Sequence, residues 1–436
     1  LSPPPPPAAG ARVNRSVSPV PLHPLRVAQA WPLHGSLPGL DPESSPGFNL
    51  GDIRAVVRVD SRSINTQGGN MTATARIFWR RRDPNLQIKL PVVTDAAGER
   101  IALVAAQLAR TCGTITFDAS AGAGTYYVYY LPFQRTGANA HLAFHWYNCT
   151  DEADRRCVTG DLATTMPFED SPDATQCSSS DVENHAAVVA LENRDTFHGF
   201  TEMEMVAAES EVLSVVAAAA GAPFSAFVES HSRAVRMFDF LPAVWAIDGS
   251  RSLSASAAPG SFFVFQIGVF AHASLPSVLL DYGSGLADDT GSSIGAPAFR
   301  CLNLGGIDEH GAQLRKIVAV EPGHVGALWV GIDVPLVGAA TYTGTIGVKA
   351  SGHTVNVSVS LSVQGAAVDD HGAADVHKMS RLRWLDSTIG SDKSDIPPPF
   401  VPLKILSDDN SSLTVQLLNK QVRVGKNGLP TSVRVS

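Results

Sequence analysis

The stretch TVNVSVSLSV, residues 354–363, alternates apolar and polar side chains along its whole length. Val355, Val357, Val359, Leu361 and Val363 fall on one side of an extended chain, and Thr354, Asn356, Ser358, Ser360 and Ser362 fall on the other. A period of two marks a strand with one face in a core and the other in water. Asn356-Val357-Ser358 on the wet face is an N-glycosylation acceptor, and a glycan attached there points away from the core. Before it along the chain, runs at 261–271, 316–320, 326–332 and 341–348 read as further strands, with turns supplied by 338–344 and Ser351-Gly352. Together they predict an immunoglobulin-like β-sandwich over residues 246–366.

A chain of 436 residues is too long for one ordinary core. Runs at 53–59, 71–79, 86–93, 114–117 and 126–131 are rich in β-branched, aromatic and other apolar residues, with turns at Gly68-Gly69-Asn70 and Asp83-Pro84-Asn85. They predict a first β-sandwich over 47–182, ending in a polar, acidic loop at 151–184. Between the sandwiches, 183–245 reads as a helical or mixed insertion. Its clearest element is a helix over 209–220, with Glu209 and Glu211 in the first turn, alanines at 217–220 and Gly221 as the stop. Residues 1–46 open on Ser2 and five prolines and read as an extended spacer, similar in a small way to hydroxyproline-rich wall glycoproteins. Residues 367–436 read as a linker and the start of a next region, with a short helical piece around 379–385 and strands turning at Asn427-Gly428. The expected class is therefore mainly β: two sandwiches, a small helical insertion and a Pro-rich N-terminal spacer. The sequence opens without Met and closes on a strand just begun, so a processed or fragmentary chain is expected.

Hydrophobic residues make up 44% and charged residues 17%, while Gly (37) and Pro (29) are plentiful, a balance that favours short strands and turns. A net charge of −8 with 33 Lys plus Arg supplies no phosphate-tracking surface, so no nucleic acid partner is expected. The one arginine cluster, Arg80-Arg81-Arg82, reads as a strand end entering a solvated turn. The apolar stretches 212–220 and 261–280 are too short or too interrupted for the roughly 20 residues of a membrane span, so no membrane is expected either. Acceptor sequons stand at Asn14, Asn70, Asn148, Asn356 and Asn410, and beside the proline tract they point to a secreted protein of the extracellular space or cell wall. Cys112, Cys149, Cys157, Cys177 and Cys301 match no zinc spacing. Cys149 and Cys157 are spaced to close a short loop, and an odd count leaves at least one thiol free or paired outside the chain.

No motif of a complete active site is present: no Gly-x-Ser-x-Gly, no His-Glu-x-x-His, no phosphate-cradling glycine loop and no Cys-x-x-Cys. Asp308-Glu309 is the most tempting carboxylate pair, but it sits in a glycine-rich turn at 305–311 and reads as a solvated loop. Asp288-Asp289 and Asp369-Asp370-His371 read as acidic turns rather than as cation sites. No metal and no cofactor is expected. Tyr126-Tyr127-Val128-Tyr129-Tyr130 offers aromatic rings on a strand, one way a protein holds sugars. Tyr127, Tyr129 and Trp146 are the candidates for carbohydrate contact. Tyrosines alternating across a strand also fill a core on one side and line a surface on the other, and Trp245 and Trp329 read as core or domain-contact residues.

The landmarks Thr125 to Phe133 (TYYVYYLPF), Phe200 to Ala207 (FTEMEMVA), Phe263 to Phe270 (FVFQIGVF), Ala327 to Gly331 (ALWVG) and Ser380 to Gly390 (SRLRWLDSTIG) resemble, in order, the non-catalytic N-terminal region of proteins similar to glycoside hydrolase family 123. The resemblance covers roughly 48–436, and the Arg381 to Gly390 stretch is its most specific part. It implies β-sandwich domains preceding a (β/α)8 barrel that removes β-linked N-acetylgalactosamine by substrate-assisted retention, with an adjacent Asp and Glu on the barrel. Nothing in this chain reads as such a barrel, so no catalytic residue is carried over. The expected function is the supporting part of a secreted hydrolase-like protein acting on N-acetylhexosamine-containing glycans. Its partners would be a glycan or the missing barrel, with Arg383 and Trp384 as domain-contact candidates. The alternatives are a carbohydrate-binding module and a structural wall or matrix glycoprotein.

Overall fold

The computed structural model describes residues 23–31, 48–66, 69–82, 91–136, 143–146, 185–197, 199–308, 310, 312–336, 338–368 and 400–435. The expected turn at 83–85, the loop at 151–184, the helical piece at 379–385, the sequons at Asn14 and Asn148, the Asp369-Asp370-His371 turn, and Arg383 and Trp384 lie outside the described residues.

The alternating stretch is a strand, His353–Val363. It pairs antiparallel with Ala340–Ala350 over its whole length, from Ala340 opposite Val363 to Ala350 opposite His353. The connecting residues Ser351 and Gly352 both carry positive φ, +47° and +76°, the conformation a tight primed hairpin turn requires. On its other side the strand pairs with Ser252–Ala257 in parallel. The opposing sheet is built from Phe224–Ser230, Phe262–Ala271, Val325–Asp333 and Phe299–Cys301. Val357, Val359 and Leu361 meet Phe265, Ile267 and Leu328 in one core, all at most 1% exposed. Each such side chain contributes about 1.5–3 kcal/mol by leaving water. The run at 316–320, expected as a strand, is no regular strand: it makes an isolated bridge between Leu275 and Val320 and single backbone bonds at Lys316 and Val318, with Lys316 and Ile317 exposed.

The first sandwich faces a sheet of Leu25–Val27, Ala187–Asn193, Ile53–Val59, Gly124–Tyr129, Val92–Thr94 and Arg100–Ile101 against one of Ile64–Asn65, Thr72–Ile77, Gly113–Asp118 and Leu103–Leu108. Thr72–Ile77 alternates strictly, with Ala73, Ala75 and Ile77 inward, and joins Ile115 and Phe117 in the core. Gly113 is small because the Trp79 ring lies where a Cβ would be, 2.1 Å from its nearest atom. A strand appears inside the stretch read as spacer: Leu25–Val27 adds in parallel beside Leu191–Asn193.

The stretch read as an insertion is divided between the two sandwiches. Ala187–Asn193 pairs with Ile53–Val59 in the first, and Phe224–Ser230 pairs with Phe262–Ala271 in the second. Between them the expected helix forms as Glu209–Ala218, followed by Gly221 at φ +84°. A short second helix, Ala243–Asp248, had no distinct sequence signal; it places Trp245 over Gly268 and against Phe227, ring centroids 4.9 Å apart. The C-terminal part is a four-stranded antiparallel meander of Lys404–Asp409, Ser412–Leu417, Lys420–Gly425 and Pro430–Val435. Its last turn uses Asn427-Gly428 as expected, with Gly428 at φ +75°. No helix among the described residues is long and apolar enough to cross a membrane.

Candidate functional site

The tyrosine strand is the natural place to look for a binding face. Tyr126, Val128 and Tyr130 point into the first core. Tyr127 and Tyr129 point to the other side of the sheet, where Arg54 of the neighbouring strand meets them. The Arg54 guanidinium lies 3.8 Å from the Tyr127 ring centroid and 4.7 Å from that of Trp31. It donates to Tyr129 Oη at 3.0 Å, to the Ala30 carbonyl at 2.9 Å and to Glu192 at 2.8 Å. Glu192 also holds Arg26, at 2.8 Å. The cluster is therefore closed from within by residues 26–31, and the sugar-contact expectation for Tyr129 is corrected: a side chain 1% exposed has no face for a sugar ring. One face of Tyr127 is likewise taken by the guanidinium. Trp31, which sequence reading passed over inside the proline tract, completes the stack edge-on to Tyr129 at 5.6 Å. The backbone of Trp146 belongs to a strand, Ala143–Trp146, apart from this cluster.

The arginine cluster is also corrected. Arg80 and Arg81 are 1% and 4% exposed, and only Arg82 reaches solvent. Arg80 holds both oxygens of Glu211, at 2.7 and 3.0 Å, and the Val206 carbonyl at 3.2 Å. Its own carbonyl accepts from Val206 N–H, and Glu211 also accepts from Ala208 N–H at the helix start. Arg80 has φ +51°, a conformation that costs a non-glycine residue about 1–2 kcal/mol. The two-pronged ion pair and the backbone bonds hold it there and tie the first sandwich to the helix that leads into the second. Beside it, His23 is held down to about 4 by burial and, secondarily, by the Arg80 charge.

Carboxylates that are buried are each committed. Glu192 and Glu211 are paired with arginines as above, and Glu229 accepts from Trp245 Nε1 at 2.8 Å and faces Arg233 at 3.5 Å. Asp308 lies, as expected, in a turn between short strands, where it accepts from the backbone N–H groups of His310 and Ala312. Asp288 does the same for Thr290 and Ser292. Among the described residues no cluster of His, Cys, Asp and Glu could hold a metal. Cys112 is disulfide-bonded, its partner lying outside the described residues. Cys301 is free, and burial pushes its thiol up to about 11, far from the reactive thiolate range.

Two surfaces remain. On the wet face of the second sandwich the pairing aligns Ser252, Ser358 and Thr345 in one cross-strand row and Ser254, Ser360 and Thr343 in the next. Asn356 sits exposed at one end of this hydroxyl-bearing face, and Asn70 and Asn410 are exposed as well. The meander presents the opposite chemistry. Its register places Ile405, Val415, Val422 and Val433 in one row and Leu413 with Val424 in another, while Thr414, Arg423 and Ser432 share the reverse side. Ile405 and Val433 remain 62% and 57% exposed.

The class this architecture defines is a tandem β-sandwich region without a recognisable catalytic constellation among its described residues. The family model described as the glycoside hydrolase 123 N-terminal domain matches residues 47–194, about a third of the chain, ending where the strand Ala187–Asn193 completes the first sheet. No curated protein matches. Among solved structures, the chain is similar to a family 123 glycoside hydrolase from Clostridium perfringens studied for glycolipid glycan hydrolysis, at 15% identity and TM-score 0.26, covering 33% of this chain and 27% of that one. The chain thus spans about a quarter of that enzyme's length. A PapD-like domain of human CEP192 (16% identity, TM-score 0.19, 27% of this chain and 83% of that one) is also similar. So is a FixG-related protein from Vibrio parahaemolyticus (14%, 0.17, 33% and 98%).

Proposed function

We propose that this chain is the supporting β-region of a secreted glycoside hydrolase-like protein acting on N-acetylhexosamine-containing glycans, with catalysis carried by a barrel outside these residues. The observation that carries the reading is the match of the first sandwich to the family 123 N-terminal domain. The chemistry of the described residues supports a non-catalytic role: Glu192, Glu211 and Glu229 are bound to arginine or indole partners. The disulfide at Cys112 supports an oxidising compartment. The apolar side of the meander is the surface we assign to contact with the catalytic part, since a sheet face of Ile, Leu and Val is stable when covered.

The test is hydrolysis of an aryl N-acetyl-β-galactosaminide by the natural protein and by residues 1–436 alone. Cleavage by the natural protein and silence of the chain alone is the expected result. Turnover by the chain alone would overturn the supporting role, and silence of the natural protein on N-acetylhexosaminides would overturn the substrate.

A further inference from the structure

The wet face of the second sandwich carries an acceptor for a covalent attachment. Asn356 stands on the strand His353–Val363, exposed, with Ser358 two residues on as the acceptor motif requires. Its cross-strand neighbour is Gly347, itself paired with Asp281. A Cβ at Gly347 would lie 3.2 Å from Thr354 Cγ2, 3.6 Å from Asn356 Oδ1 and 3.6 Å from Asp281 Cβ, so this buried glycine lets those side chains pack closely beside Asn356. Next along the sheet comes the row of Ser252, Ser358 and Thr345. The charges facing Asn356 from this side, Lys349 and Asp281, neutralise each other at 2.6 Å. A neutral surface of hydroxyls beside the anchor suits a sugar chain lying on it, because each hydroxyl can donate to or accept from sugar hydroxyls without a buried charge left over.

We propose that Asn356 carries an N-linked glycan that lies along the Ser/Thr face and covers it. The bond formed is an N-glycosidic bond between Asn356 Nδ2 and the anomeric carbon of the first sugar; the bond broken is that carbon's link to the diphosphate of a lipid-linked oligosaccharide donor, so the lipid diphosphate leaves and one amide proton is lost. The inference rests on the secreted reading above. It also assigns the two faces different tasks: the glycosylated face stays out of protein contacts, and the apolar meander makes them.

The experiment is glycopeptide mass spectrometry of the natural protein, read together with the redox state of Cys112. A glycan on the peptide spanning Asn356, lost in Asn356→Gln and in Ser358→Ala, is expected. Ser358 is exposed, so its replacement removes the acceptor motif and leaves the strand in place. Coverage of the face is read in Thr343→Cys: maleimide labelling should be slow until the glycan is removed enzymatically, then fast. A protein with Cys112 oxidised and Asn356 unmodified would overturn this inference while sparing secretion. Reduced Cys112 with every sequon bare would overturn both. Labelling of residue 343 that ignores glycan removal would overturn the covering role.

Discussion

At the scale of single residues, the molecule is held by buried arginines, one of them in a cluster read from the sequence as a solvated turn and the other packed under tyrosines read as a sugar-contact face. Arg54 lies in a strand and Arg80 just past the end of one, where their charge is offset by Glu192 and Glu211 and, for Arg54, by two aromatic faces. Removing one partner of such a pair leaves the other charged and buried, which costs about 3–5 kcal/mol. Arg54→Ala should lower the denaturation midpoint by that order and release residues 23–31 to protease. Arg54→Lys should recover part of the loss, since a lysine keeps the charge but not the planar stack or the fork; equal loss in both variants would contradict the stacking role. His23 adds a pH dependence. Its folded value of about 4 lies below its ordinary 6.5, so between those values the unfolded state binds more protons. Stability contributed here is therefore complete above about pH 6.5 and is lost as pH falls towards 4. Amide protection factors in the strand Leu25–Val27, taken relative to the intrinsic rate at each pH, should fall over that window, and His23→Phe should flatten the response. The tyrosine strand shows why the sugar reading did not carry through at Tyr129: period two told which rings leave the core, but only the register with Arg54 reveals what meets them outside.

At the scale of elements, periodicity was legible wherever a strand had one wet side. Ile53–Val59 and His353–Val363 fall within a residue of their sequence reading, as does the start of the helix at Glu209. Among the strands that were not legible, three have a clear local reason. Leu25–Val27 is short and lies among prolines, Ser252–Ala257 is mostly serine and alanine, and Phe224–Ser230 follows an alanine-rich helix whose signal overshadows it. Arg80 was misread because a charged residue at a strand end normally marks solvent, and its partner Glu211 lies far along the chain. The close approach of tryptophan to glycine was equally invisible, although it decides how the helix Ala243–Asp248 seats on the second sandwich. An added methyl at Gly268 would stand 2.0 Å from Trp245 Cη2, in a core where Trp245 is 2% exposed. Gly268→Ala should therefore destabilise by about 1–3 kcal/mol, the usual range for overpacking, and should displace the indole. Calorimetry and the tryptophan near-ultraviolet band would show both; an unchanged band would mean that the helix is free to move aside.

At the scale of the whole molecule, two sheets differ in what they ask of their surroundings. The wet face of the second sandwich is hydroxyl-bearing and complete in water, whereas the meander has Val415 and Val422 half-exposed in the middle of an apolar row. If a catalytic part covers that row in the natural protein, the same substitution has different consequences in two contexts. In residues 1–436 alone, Val415→Thr with Val422→Thr exchanges partly wet methyls for hydroxyls and should change stability by less than about 0.5 kcal/mol, as surface substitutions do. In the natural protein the hydroxyls would be buried without partners, at a cost of about 1–3 kcal/mol each. Parallel denaturation of the two forms measures the difference directly. A matched, small effect in both would place the meander in solvent throughout and remove it from the interface. A large effect confined to the natural protein, accompanied by loss of hexosaminide turnover, would identify the meander as the contact through which this region supports catalysis.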